Sequence, residues 1–248
     1  MKTTKVKKKI VVGNWKMHGS FFGNESLLHG LLFELKSVPP ECEVVIAPPS
    51  VYLDQVARIL KGSGLLMSAQ DVSPYPDGAH TGDCAAHMLA EVGCSMVIVG
   101  HSERRRTFGE SDAVVARKAE AVLDAGMIPI ICVGETLHAR KQGRAWAVVE
   151  KQIKAMIDRL AERIDGCCFA YEPIWAIGSG QTPSSEDVAY ILGCMRNMIG
   201  NCRFLYGGSV RSENAATLFS IEHVDGVLVG GASLDAKAFA DIIWAANG

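Results

Sequence analysis

The chain has 248 residues, of which 48% are apolar and 21% charged, with a formal net charge of −2. That composition supports a sizeable core and argues against disorder. The near-neutral charge argues against non-specific nucleic-acid binding, although a local basic patch could still hold an anion. No apolar window is long enough for a membrane span. Residues 1–8 form a basic leader followed only by Ile10-Val11-Val12 before Gly13, too short an apolar stretch for a signal peptide. Eight cysteines, at 42, 84, 94, 132, 167, 168, 194 and 202, lie mostly in apolar runs without a Cys-x-x-Cys pair. Buried thiols in a reducing cytosol fit that pattern better than a disulfide framework, so a cytoplasmic protein is expected.

Short β-branched runs alternate with helical patterns. A strand over 9–12 precedes a helix over 24–37, whose face is Leu27, Leu28, Leu31, Leu32 and Leu35. Pro39-Pro40 breaks it. A strand over 43–47 leads to a helix opening near Ser50 and stopping at Gly62. A third strand, 65–69, is followed by a long polar loop and a helix over 83–92. The fourth, 96–99, precedes a short turn from Ser102 and a helix over 111–125. The fifth, 127–133, precedes a helix over 143–164. The sixth, 168–171, is followed by an apolar loop and a helix capped by Ser184 or Ser185. Strands at 203–206 and 226–229 complete the series, with helices over 212–219 and up to about Ala246. Strict alternation implies a parallel sheet in one domain, and eight units in this length match a closed (β/α)8 barrel. An open doubly wound sheet is the alternative, because strand order is not visible in sequence.

In such a barrel the chemistry sits after the C-terminal strand ends. After strand one, Asn14 and Lys16 alternate with Gly13 and Trp15 and can face one side, where a lysine could neutralise an anion; a surface lysine fits equally. After strand four, His101 precedes a helical turn whose positive end disfavours the imidazolium; a structural histidine is the alternative. Glu103, Arg104 and Arg105 read as a structural ion-pair network beneath it. After strand six, Glu172 stands before Pro173, which holds it extended. The loop that follows, Ile174, Trp175, Ala176, Ile177, Gly178, Ser179 and Gly180, is apolar where a surface loop would be polar. It suits a lid over a catalytic carboxylate, or plain packing. Gly207-Gly208-Ser209 and Gly230-Gly231 after strands seven and eight are Gly-rich turns entering helices, which favour phosphate or are simply tight turns. No ATP-binding loop, dinucleotide fingerprint or serine-nucleophile elbow occurs. His80, Cys84 and His87 have helical spacing but no evident fourth ligand, so no metal is expected.

Asn14-Trp15-Lys16-Met17, Gly100 to Arg105, Tyr171 to Gly178, Tyr206 to Val210 and Leu228 to Leu234 together closely resemble the triosephosphate isomerases, in order and spacing, over 10–243. The resemblance implies a single-domain TIM barrel over 1–248. It implies interconversion of dihydroxyacetone phosphate and glyceraldehyde 3-phosphate, in glycolysis and gluconeogenesis, without cofactor or metal. By the same resemblance Glu172 is the base, neutral His101 the electrophile, Lys16 the counter-charge and Asn14 a holder of substrate oxygens. Gly178, Ser209, Gly230 and Gly231 supply donors to phosphate, and the lid runs from Pro173 through Gly180. Tyr206 would bond the closed lid, Glu135 would pair with Trp175, and Cys132 would pack near the base. A homodimer is implied, with Thr81 approaching the partner's Asn14 and the partner's Glu103. No nucleic-acid or membrane partner is expected.

The sequence departs from the family at His80, commonly an aromatic, at Asp83, commonly Glu, and at Ser179, commonly Thr. Protonation of His80 is expected to weaken the dimer. Loss of β-branching at 179 is expected to loosen the second lid hinge.

Overall fold

Period-two alternation decides which residues face the barrel axis. The computed structural model describes residues 8–177 and 182–247. Its strands are β1 (Ile10–Asn14), β2 (Glu43–Ala47), β3 (Leu66–Ala69), β4 (Met96–Val99), β5 (Ile128–Val133), β6 (Cys168–Tyr171), β7 (Arg203–Tyr206) and β8 (Gly226–Val229). They pair in parallel in chain order, and β8 closes on β1 with Ile10 opposite Gly226. The sheet is therefore a closed (β/α)8 barrel, and the open alternative is excluded.

Ile10, Val12, Met96, Ile98, Cys168 and Ala170 belong to the inner apolar cluster. Val11, Val97, Val99, Phe169 and Tyr171, at the intervening positions, pack outward against the helices. Burial on both faces explains why the strands read as continuous apolar runs. It also predicts which residue faces inward at the C-terminal mouth: Asn14 continues Ile10 and Val12 at the end of β1, and Glu172 continues Cys168 and Ala170 just past β6.

The described residues hold helices α1 (Phe21–Ser37), α2 (Leu53–Leu60), α3 (Ala86–Glu91), α4 (Ser102–Phe108), α5 (Asp112–Asp124), α6 (Leu137–Lys141), α7 (Ala145–Leu160), α8 (Ser185–Ile199), α9 (Ser212–Ser220) and α10 (Ala236–Ala245). Helix α1 starts three residues earlier than its leucine face suggests, because the Ser20 hydroxyl accepts from Gly23 N–H and caps it there. Helix α3 starts later than expected, since Ala85 is still extended. The expected 143–164 helix ends at Leu160, where Ala161 adopts φ 48° and the chain tightens into a 3-10 turn. Ser184, not Ser185, caps α8 by accepting from Asp187 N–H.

Arg104 and Lys118 form a compact network with two carboxylates. Lys118 Nζ lies 2.6 Å from both Asp71 and Glu110, and Arg104 reaches the same pair at 2.8 and 2.7 Å. The side chains of Lys118 and Glu110 are only 5% exposed. Lys118→Ala would leave Glu110 buried beside Arg104 alone. Breaking a buried pair from one side costs about 3–5 kcal/mol, so this variant is expected to unfold at clearly lower urea concentration at matched protein concentration. An unchanged urea midpoint would show that the network contributes nothing net.

Candidate active site

Glu172 is 1% exposed at the inner mouth of the barrel. Its Oε2 accepts from the Ser102 N–H at 2.9 Å. Its Oε1 lies 3.2 Å from His101 Nε2, a close contact that lacks hydrogen-bond alignment and leaves that buried oxygen without a donor among the described residues. Backbone contacts fix the Glu172 main chain from behind. Glu172 N–H donates to the Val133 carbonyl at 2.7 Å, and a Cβ on Gly134 would sit 1.7 Å from the Glu172 carbonyl oxygen.

His101 breaks the alternation. Inward parity after Met96 and Ile98 falls on Gly100, which has φ 67° and no room for a side chain, its Cβ direction being 2.6 Å from Val115 Cγ1. The turn at this left-handed glycine redirects the chain. His101 then caps α4, its Nδ1 accepting from the Glu103 N–H at 3.2 Å. Glu103 Oε2 is also 3.6 Å from Nδ1, but the N–H contact has hydrogen-bond geometry and governs the ring.

Lys16 is not in strand alternation as its spacing suggests. The strand ends at Asn14, and Lys16 takes φ 52°, an uncommon conformation for a residue with a Cβ. Three bonds hold it there. Its N–H donates to Asn14 Oδ1 at 2.9 Å, its carbonyl accepts from Gln70 at 2.9 Å, and its Nζ reaches Glu103 Oε1 at 2.6 Å. Burial opposes ionisation at Glu103, but the hydrogen bond from Lys16 and the neighbouring positive charge outweigh it, so this carboxyl lies below its usual range. Glu103 therefore supports the site through Lys16, whereas Arg104 and Arg105 form the structural network. Arg105 bonds the Gly100 and Cys132 carbonyls and Asp112.

These side chains meet in one cavity of about 450 Å³, lined by Asn14, Lys16, His101, Glu172, Ile177 and the two Gly-rich turns. Asn214 holds one turn by donating to the Ser209 carbonyl at 3.0 Å. In the other, Ser233 N–H and Oγ both donate to the Gly230 carbonyl, at 2.9 and 2.7 Å. Gly230 and Gly231 both line the cavity. The cavity thus offers a carboxylate, an imidazole and an ammonium at one end and backbone donors at the other. Such an array can move a proton next to a polarised carbonyl while holding an anionic group.

Pro173 to Ile177 lead away from Glu172 and include a 3-10 turn, Ile174–Ala176. Trp175 Nε1 donates to Glu135 at 2.7 Å, and Tyr171 donates to the same oxygen at 3.3 Å. Burial raises the Glu135 carboxyl above its usual range, and the Trp175 bond pulls it back in part. Gly178, Ser179 and Gly180 lie outside the described residues. Cys132 is fully buried; burial and the neighbouring Glu172 push its thiol well up, so it packs rather than attacks. Helix α6, with Arg140, is absent from the sequence-based reading, although Thr136 carries a helix-cap signal just ahead of it. Gln70 and the Ser102 tether on Glu172 were also not anticipated.

The family model described as triosephosphate isomerase matches residues 9–246. The chain belongs to the triosephosphate isomerase family. Among its relatives, the triosephosphate isomerase of Dechloromonas aromatica is 45% identical, over 98% of this chain and 100% of the relative. That of Cupriavidus pinatubonensis is 46% identical over 94% and 98%, and that of Azoarcus sp. 46% over 96% and 99%. Family membership makes the chain an enzyme of the isomerase class. No helix among the described residues is long and apolar enough to cross a membrane.

Proposed function

We propose that the protein interconverts dihydroxyacetone phosphate and glyceraldehyde 3-phosphate through an enediolate, with Glu172 as base and neutral His101 as electrophile. The observation that carries this reading is the donor-free Oε1 of buried Glu172, 3.2 Å from His101 Nε2 in the cavity that also holds Lys16. The Glu103 N–H donates to His101 Nδ1 at 3.2 Å, which supports reading the ring as the neutral tautomer with its proton on Nε2. An Nε2–H can then donate to the substrate carbonyl and pass a proton between its two oxygens. Lys16 offsets the negative charge that grows on those oxygens, and Asn14 holds them. Ser209, Gly230 and Gly231, with Gly178 of the lid, receive the phosphate. Before acting, Glu172 must leave the Ser102 N–H, so substrate binding is coupled to a movement of the base.

The apolar lid excludes water and keeps the enediolate in a geometry that retains its phosphate. Purified protein is expected to isomerise either triose phosphate without added metal or cofactor. A folded preparation that converts neither would overturn the reading. The place of the reaction is glycolysis and gluconeogenesis.

We also propose a homodimer in the cytoplasm. A second cavity, of about 460 Å³, adjoins the first across Lys16 and His101 and is rimmed by Met17 and Phe108, 93% and 67% exposed. Such apolar side chains beside a cavity suit insertion of a partner's loop. Thr81 lies on a projecting loop whose His80 stacks on Tyr75 at 4.4 Å and 7°. Arg117 already sits 5.3 Å from that tyrosine ring, so a charged His80 would bring a second cation to it. Sedimentation is expected to give a dimer that dissociates more readily at pH 5.5 than at pH 8. Equal affinity at the two values would remove His80 from the account. All eight cysteines are free, and burial pushes the Cys42 thiol up to about 11 and Cys94 to about 12, which makes these two poor nucleophiles.

A further inference from the structure

Trp175 is held from two sides. Its indole N–H donates to Glu135 at 2.7 Å, and its ring carries the Arg140 guanidinium 4.5 Å from the centroid. Arg140 in turn donates to Asp187, in the first turn of α8. Burial opposes ionisation at Asp187, but the Arg140 contact outweighs it and keeps the carboxyl below its usual range. Helix α8 is the element to which the chain returns after the loop. One arginine on short α6 therefore ties the start of the loop to the helix beyond its end.

Glu135, Arg140 and Asp187 do not line the substrate cavity, whereas Ile177, two residues past Trp175, does. These contacts hold Trp175 in the position seen, outside the substrate cavity. The Arg140 guanidinium is only partly exposed, and its position over the indole face adds the attraction of the ring quadrupole to that of the ion pair with Asp187.

We propose that Arg140, braced by Asp187, is a positioning residue that sets how often the Trp175 hinge leaves the position seen. This rests on the reading of the loop as a lid over a triose-phosphate site. A ligand that binds only the inward state must work against whatever holds the hinge outward. Loosening that hold tightens the apparent affinity by the same factor.

The test uses the full-length protein and its Arg140→Met, Arg140→Lys and Asp187→Asn variants. The probe is 2-phosphoglycolate, whose planar carboxylate resembles an enediolate next to a phosphate. Its dissociation constant is expected to fall two- to fivefold in Arg140→Met, and less in Arg140→Lys and Asp187→Asn. In protein labelled with 5-fluorotryptophan, the Trp175 resonance (identified by Trp175→Phe) should move in the variants toward its ligand-bound position before any ligand is added. A purely structural role would lower thermal stability and the active fraction without shifting the dissociation constant or the resonance. That outcome, or weaker binding in the folded variants, would overturn the proposal. If Arg140→Met does not fold, the two milder variants decide by the same readouts. Failure of the probe to bind the wild type would instead count against the functional reading.

Discussion

Glu172→Gln is expected to lower kcat by about 10²–10⁴-fold, the usual contribution of a positioned general base, with little change in KM. The amide has nearly the same volume and can still accept from the Ser102 N–H, so the fold and cavity should survive. What it lacks is the basic lone pair. The wild-type Oε1 is buried, free of any hydrogen-bond donor among the described residues, and beside His101 Nε2. An oxygen with those properties is poised to take a proton, and no other carboxylate lines the inner end of the cavity: Glu213 is an exposed rim residue. Glu172→Asp, which keeps the charge but withdraws it by one methylene, should fall between the two. Rates and thermal unfolding measured together separate lost chemistry from lost protein. Near-wild-type turnover by Glu172→Gln would remove Glu172 from the mechanism.

Lys16→Met should be nearly as damaging, with kcat/KM reduced by about 10²–10³-fold, the scale of losing one preorganised stabiliser of developing negative charge. Methionine keeps much of the aliphatic stem and removes only the ammonium. The structure keeps that ammonium in place through an unusual backbone. Lys16 holds φ 52° because Asn14, Gln70 and Glu103 each bond to it. Glu103 is therefore the natural comparison. Glu103→Gln loosens the lysine but leaves its charge, so its effect should be clearly smaller than that of Lys16→Met. Steady-state kinetics in both directions would show the order, and equal losses would mean that placement, not charge, is what Lys16 supplies.

Much of this site was legible in sequence because it obeys simple periodicity. Cys168, Ala170 and Glu172 alternate inward, and Pro173 stops the chain from turning before the carboxylate is placed. Asn14 follows Val12 in the same way. The Gly-rich turns were visible as composition, and their positions after the seventh and eighth strands gave them meaning. His101 and Lys16 were legible as residue types but not as geometry. The left-handed turn at Gly100 and the positive φ of Lys16 both abandon strand parity at the last step, and no spacing rule predicts such a break. Helix α6 spans only five residues, Leu137–Lys141, too few for an apolar period to show. Arg140 was invisible for a further reason: its contacts with Trp175 and Asp187 join segments 35 and 47 positions away and exist only once the barrel closes.

Isomerisation of dihydroxyacetone phosphate in heavy water, followed by proton NMR, reports whether the hydrogen moves through Glu172. If Glu172 removes a carbon-bound proton and returns it to the neighbouring carbon, the carboxylic acid formed in between can exchange with solvent. Glyceraldehyde 3-phosphate is expected to carry deuterium at carbon 2 in a substantial share of the molecules, with incorporation and turnover both lost in Glu172→Gln. Product formed at full rate with no solvent deuterium on carbon, in the wild type and in Glu172→Gln alike, would contradict an enediolate formed by Glu172.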